Sequence, residues 1–228
     1  MSNTNVSAPR IRAAIFDYDG TLLDSMKMWH TIPSSYARQQ GKEPVMEFDE
    51  QAKYLSLDES AAEFQKMYGL TYSIEEICQQ VQDMVYNFYK DELPMKPGAL
   101  EILEDLHANG VRMCICTMTP AAMILAANER LGISKYFEAV YSCSDYGIGK
   151  DTPEIYHMAA EDFGIDPSEV AVFEDMVVAV ETAQKAGYYT VGVWEDENRK
   201  DWERVKASAD LVLNDYSEWP GVQDLPEK

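Results

Sequence analysis

Ile11-Arg12-Ala13-Ala14-Ile15-Phe16-Asp17-Tyr18-Asp19-Gly20-Thr21 is the stretch that decides the architecture of this chain. A short apolar run of strand length stops at a carboxylate, and a second carboxylate follows two positions on. Four more apolar runs lie downstream, at residues 111–116, 170–173, 189–193 and 211–213. Helical stretches precede three of them. Residues 99–109 place Leu100, Leu103 and Leu106 on one face before Gly110, residues 153–163 end at Gly164, and a further helix ends at Gly187. Glycine at those positions is a helix stop. Thr119-Pro120 and Thr152-Pro153 each predict a capping hydroxyl followed by proline at the first helical position. Strands alternating with helices predict an α/β fold, a Rossmann-like parallel sheet core. Residues 26–93 break that alternation. They lack strand runs and read as helices over residues 29–40, 57–67 and 74–90, an inserted helical cap subdomain. The expected division is a core of residues 1–25 and 94–228 around a cap of residues 26–93, with hinges near 24–26 and 93–97.

The 228 residues are 46% apolar and 26% charged, enough for a sizeable core and too apolar for global disorder. Nineteen Lys and Arg stand against 40 Asp and Glu, a formal charge of −21. Such a field repels nucleic acid and anionic membrane, so neither is expected as a partner. A small anionic substrate is still compatible where cations gather at one site. Cys78, Cys114, Cys116 and Cys143 form no C-x-x-C pair or zinc spacing, which suits a reducing cytoplasm. The first ten residues, MSNTNVSAPR, have no apolar signal core, and no apolar run approaches membrane-spanning length. A cytoplasmic monomer is expected.

Asp17 and Asp19, at i and i+2 beyond a strand, can both reach one cleft. A calcium loop also begins D-x-D, but its sixth position is here Leu22 instead of glycine and its twelfth is Met28 instead of glutamate. The second strand run delivers Thr117-Met118-Thr119 ahead of a helix start, a hydroxyl beside backbone N–H groups that could seat a phosphate. Lys150 lies in a loop flanked by Gly147 and Gly149, which predict a tight backbone path that aims it. The third run ends in Glu174-Asp175. Carboxylates packed together are unfavourable unless a cation joins them, so Asp17, Asp19, Glu174 and Asp175 predict an oxygen-rich Mg2+ site. In an open α/β sheet, ligands bind at the carboxyl ends of the strands, and four independent signals fall on that edge.

The order Asp-x-Asp-Gly-Thr, Thr, Gly-Lys-x-x-Pro-Glu, Glu-Asp resembles the haloacid dehalogenase superfamily, in its branch of helical-capped phosphatases and beta-phosphoglucomutase-like enzymes. The resemblance spans about residues 11–24 and 96–213 and is weaker across the cap. It implies a catalytic core and a Mg2+-dependent phosphatase acting on a small phosphorylated metabolite, a sugar phosphate in particular. By the same resemblance Asp17 is nucleophile and Asp19 general acid/base. Thr117, Met118 (through its backbone) and Lys150 bind phosphate, and Asp17, Asp19 (through its carbonyl), Glu174 and Asp175 hold Mg2+. Two departures stand out: the family's Glu-Asp-Ser-x-x-Gly is here Glu174-Asp175-Met176 with Ala179, and the residue after Thr117 is Met118 instead of Ser or Asn. The mutase branch carries a cap loop Lys-Gly-x-Ser-Arg-x-x-Ser. Laid against Lys53–Ser60, its glycine becomes Tyr54 and its arginine Leu57, which removes a bidentate phosphate grip and favours hydrolysis. The retained Asp19 argues against dehalogenation, whose leaving halide needs no proton. Trp29, His30, Lys53 and Tyr54 are candidate cap contacts to substrate. A mutase and a catalytically silent binding protein of the same fold are the alternatives.

Overall fold

The computed structural model describes residues 11–226. Six strands, β1 (Ala13–Phe16), β2 (Arg112–Thr117), β3 (Ala139–Ser142), β4 (Val170–Glu174), β5 (Tyr189–Val193) and β6 (Leu211–Leu213), form one sheet in the order β3-β2-β1-β4-β5-β6. Every neighbouring pair is parallel. β1, β4 and β5 are buried along their whole length, which is why they read as unbroken apolar runs in the sequence. β3 is the strand that periodicity misses: it lies at the sheet edge, and only its last two residues are buried.

The helices in chain order are α1 (Met26–His30), α2 (Ile32–Gln39), α3 (Met46–Ala52), α4 (Leu57–Tyr68), α5 (Ile74–Asn87), α6 (Ala99–Ala108), α7 (Ala121–Leu131), α8 (Cys143–Tyr146), α9 (Glu154–Phe163), α10 (Val177–Lys185) and α11 (Trp202–Ser208). None is long and apolar enough to cross a membrane. By internal contacts the chain divides into one unit of residues 1–24 and 94–228 and a second of residues 25–93.

In the first unit, chain order reverses at β1, which pairs β2 on one side and β4 on the other. The crevice at the carboxyl ends of β1 and β4 is thus the topological switch point where such sheets bind ligands. Phe16 lies level with both Ile115 and Phe173, so Asp17, Cys116 and Glu174 emerge at the same height. α6 buries Ile102, Leu103 and Leu106, whereas Leu100 is turned out and 39% exposed, correcting the predicted face by one position. Gly98, at φ +85°, stands where a Cβ would come within 2.7 Å of the Tyr216 Cβ. That close approach lets the Tyr216 hydroxyl donate to the Thr21 carbonyl at 2.6 Å and tie down the turn after β1.

The second unit is helical throughout. The expected helix 29–40 is two helices, with Pro33 in the first turn of α2: proline lacks the N–H that continuation from α1 would need. α3 is an addition to the expected set, and helix 74–90 ends as α-helix at Asn87 and continues as a π turn, Phe88–Glu92. α4 and α5 open on reciprocal caps, Ser56 with Glu59 and Ser73 with Glu76. Residues 53–60 therefore run from the end of α3 into α4 and are only in part a loop. Tyr36, Phe48, Phe64 and Ile77 form this unit's core.

Candidate active site

Asp17 follows β1 directly, its backbone N–H still bonded across the sheet to the Phe173 carbonyl at 3.0 Å. Its side chain is buried, and Oδ1 accepts from Lys150 Nζ at 2.5 Å. The same ammonium donates to Glu174 Oε1 at 2.6 Å. Lys150 is only 7% exposed. Gly147 closes α8 in the left-handed region at φ +69°, and a Cβ at Gly149 would collide with the Asp151 carboxylate. The glycines thus allow the tight path expected of this loop.

One carboxylate oxygen from each of Asp17, Glu174 and Asp175 lies within 4.8 Å of the others. Glu174 Oε1 accepts a second bond, from the Tyr156 hydroxyl at 2.8 Å, while Oε2 is buried without a hydrogen-bond partner among the described residues. Asp175 Oδ2 accepts from Asn198 Nδ2 at 2.6 Å, and Oδ1 lies 3.5 Å from the Thr21 hydroxyl.

Three buried acids facing one ammonium leave an excess of negative charge. Burial, partly opposed by Lys150, pushes the Glu174 carboxyl up to about 7. Burial and then the neighbouring Asp17 and Glu174 raise Asp175 well above the usual carboxylate range. Lys150 shows the converse: burial opposes its charge, but Asp17 and Glu174 together hold it above the ordinary lysine value. An all-oxygen donor set with one orphaned buried oxygen fits a hard divalent cation such as Mg2+.

Asp19 sits on the same edge, with Oδ2 accepting from the Thr119 hydroxyl at 2.7 Å. Thr119 is therefore no helix cap. Pro120 and Pro153 occupy the N-cap positions of α7 and α9 themselves, with no side-chain cap bond. The first N–H of α7, on Ala121, donates to Asp145 at 3.2 Å, so this helix end offers a phosphate less than the sequence suggested. Thr117 is buried and accepts from the Thr119 N–H at 3.1 Å, which leaves its own hydroxyl proton to donate. The Met118 side chain is 52% exposed, and Met176 is 50% exposed.

The core candidates converge at one sheet edge: Asp17, Lys150, Glu174 and Asp175 in one buried cluster, with Asp19 joined through Thr119 to Thr117. Within the helical unit, Trp29 and Lys53 line one cavity of about 310 Å3 with Tyr36, Phe48, Leu55 and Phe64. His30 and Tyr54 lie outside that lining, and Tyr54 is 88% exposed. Lys53 also pairs with Glu50 at 2.8 Å, and Trp29 donates to the Tyr89 hydroxyl at 3.1 Å.

Residues 11–187 match the haloacid dehalogenase-like hydrolases. The chain belongs to that family. A Thermotoga maritima phosphorylated carbohydrates phosphatase is 27% identical over 78% of this chain and 82% of its own length. A Drosophila melanogaster protein provisionally named pseudouridine-5'-phosphatase is 32% identical over 81% of this chain and 82% of its own. Among solved structures, a Thermotoga maritima protein provisionally named beta-phosphoglucomutase superposes with a TM-score of 0.77 at 25% identity, covering 90% of this chain and 95% of that one. The haloacid dehalogenase-like fold accounts for the parallel sheet.

Sequence reasoning missed Thr119, Tyr156, Asn198 and Lys96 as contributors to this site. Lys96 Nζ donates to the Gly20 carbonyl at 2.6 Å, the Trp194 carbonyl at 2.8 Å and Glu195 Oε2 at 2.7 Å. All three of its protons are used, and the pair with Glu195 is largely buried. Lys96→Met is expected to lower stability in urea unfolding by about 3 kcal/mol, because Glu195 is left buried and uncompensated. A change under about 1 kcal/mol would show that the Lys96 clamp does not hold the Gly20 turn.

Proposed function

We propose that this haloacid dehalogenase-like phosphohydrolase is a Mg2+-dependent phosphatase of small cytoplasmic phosphomonoesters, sugar phosphates in particular, working through an aspartyl-phosphate. In this reading residues 94–228 with the N-terminal segment are the catalytic core, and residues 26–93 are a cap that selects the rest of the substrate. The observation that carries it is the buried contact of Lys150 with both Asp17 and Glu174, beside an Asp19 held by Thr119.

Each residue then has a chemical task. An Asp17 carboxylate oxygen attacks phosphorus, and the bond from phosphorus to the substrate oxygen breaks. The departing oxygen takes a proton from the Asp19 carboxyl. Asp19 then removes a proton from the water that attacks the phosphorylated Asp17, which releases phosphate and restores the carboxylate. Such proton transfer is worth roughly 10²–10⁴ in rate. Thr119 orients Asp19, Lys150 offsets the charge of Asp17, and the Thr117 hydroxyl can donate to a phosphoryl oxygen. Asp17, Glu174, Asp175 and the Asp19 carbonyl would hold Mg2+, which supplies positive charge against the repulsion between anionic nucleophile and anionic phosphate. Two relatives with phosphatase names support this reading, one named for phosphorylated carbohydrates and the other provisionally for pseudouridine 5'-phosphate.

Incubation with Mg2+ and a panel of phosphomonoesters, hexose 1-phosphates included, tests this reading. Inorganic phosphate is the expected product. Isomer formation without phosphate release would replace hydrolysis by mutase chemistry, and inactivity across the panel would favour a binding protein.

A further inference from the structure

Two donors that belong to none of the strand-end motifs hold the buried acids from different elements. Tyr156, on α9, is fully buried, and its hydroxyl donates to Glu174 Oε1 at 2.8 Å. Lys150 donates to that same oxygen at 2.6 Å, while Oε2 has no hydrogen-bond partner among the described residues. Two donors on one oxygen set the rotation of the carboxylate and leave the orphan oxygen as the one available to a cation. Asn198, in the 3-10 turn Asp196–Asp201, repeats the arrangement on the other acid. Its Nδ2 donates to Asp175 Oδ2 at 2.6 Å, whereas among the described residues Oδ1 has only the long 3.5 Å approach of Thr21. A carboxylate accepts and does not donate, so the Asn198 amide must present its nitrogen here.

We propose that Tyr156 and Asn198 are positioning residues for the metal site, each holding one oxygen of a buried acid so that the other is turned to Mg2+. This rests on the reading that Glu174 and Asp175 hold that ion. A tyrosine ring could bury itself equally well as phenylalanine, and an asparagine in a partly exposed turn has water to bond. The pattern is therefore not required by packing. It is the pattern expected of outer partners that orient metal-binding carboxylates, whose loss typically costs 10–100-fold in metal affinity.

The test is titration calorimetry of the full chain with Mg2+ alone, on wild type, Tyr156→Phe, Asn198→Ala and the double variant. Each single variant is expected to bind Mg2+ about 10-fold more weakly or worse. The double variant should bind Mg2+ more weakly than either single variant, with the two losses coupled because both acids hold one ion. At saturating Mg2+, kcat for a phosphomonoester should return to within a few-fold of wild type and KM should be little changed. That split separates positioning from a general loss of structure. Tyr156→Phe keeps the packed ring and Asn198→Ala changes a partly exposed turn, so at least one variant reports on a folded protein. Unchanged Mg2+ affinity in a folded variant would overturn the role of that residue, while wild-type binding stands. Absence of Mg2+ binding by the wild type would instead remove the reading beneath it, and this inference with it.

Discussion

Asp17→Asn is expected to lose phosphate release by at least about 10³-fold while remaining folded, the scale of loss when a covalent nucleophile is deleted. The substitution is nearly isosteric and removes one charge from a cluster of three buried acids. Lys150 keeps Glu174 as a partner at 2.6 Å, so no ammonium is stranded, and repulsion between Asp17 and its acidic neighbours disappears. The fold therefore has no reason to weaken. Because Asp17 is also placed among the residues that would hold Mg2+, the measurement is made at saturating Mg2+, so that loss of activity reports on the nucleophile. An amide oxygen is a poor nucleophile toward phosphorus, so both turnover and the burst of covalent phosphoenzyme should vanish together. Asp19→Asn should behave differently. Its loss removes proton transfer, worth roughly 10²–10⁴, and leaves the attacking group in place. Rapid-quench measurement with a substrate of good leaving group distinguishes the two, because such a leaving group needs little protonation. Turnover near wild type in Asp17→Asn would show that the nucleophile has been misassigned.

The same residues show how far the sequence could be read. Strands buried on both faces are visible as apolar runs, and in a parallel sheet each run ends where ligands bind. Asp17, Glu174 and Asp175 could therefore be placed together without any knowledge of distance, and Lys150 could be added from its place before a helix. β3 escaped because an edge strand of four residues, half-buried over its first two, carries no distinctive period. Thr119 was mistaken for a cap because a threonine before proline looks the same whether its hydroxyl turns to its own helix or to Asp19, 100 positions earlier. Tyr156, Asn198 and Lys96 had no local signal at all. A tyrosine on a buried helix face, an asparagine in an acidic loop and a lysine before Pro97 are each ordinary, and their meaning comes from partners 18, 23 and 99 positions away. Helix ends failed where proline was weighed too lightly: Pro33 splits the expected helix, and Pro120 and Pro153 precede theirs.

Mg2+ should raise the thermal midpoint strongly at pH 7.5 and weakly near pH 5.5. Without metal, Glu174 holds its proton up to about 7, against an ordinary value of 4.5, chiefly because burial disfavours the carboxylate. The folded state thus binds more protons than the unfolded chain between those two values. Stability falls as pH rises through that window, and the raised Asp175 acts in the same direction. By neutral pH the metal-free protein must therefore either hold protons against the solvent or hold three buried negative charges on one lysine. A divalent cation relieves this, and it competes with protons for the same oxygens, so its benefit grows with pH. At 100 times its dissociation constant, Mg2+ would add about 2.7 kcal/mol. For a chain of this length that is a rise of roughly 5–10 °C. Scanning calorimetry in EDTA and in Mg2+ at both pH values, at fixed ionic strength, measures it. Equal midpoints with EDTA and Mg2+ at pH 7.5 would mean that the three acids do not form a metal site, and that Lys150 alone balances them.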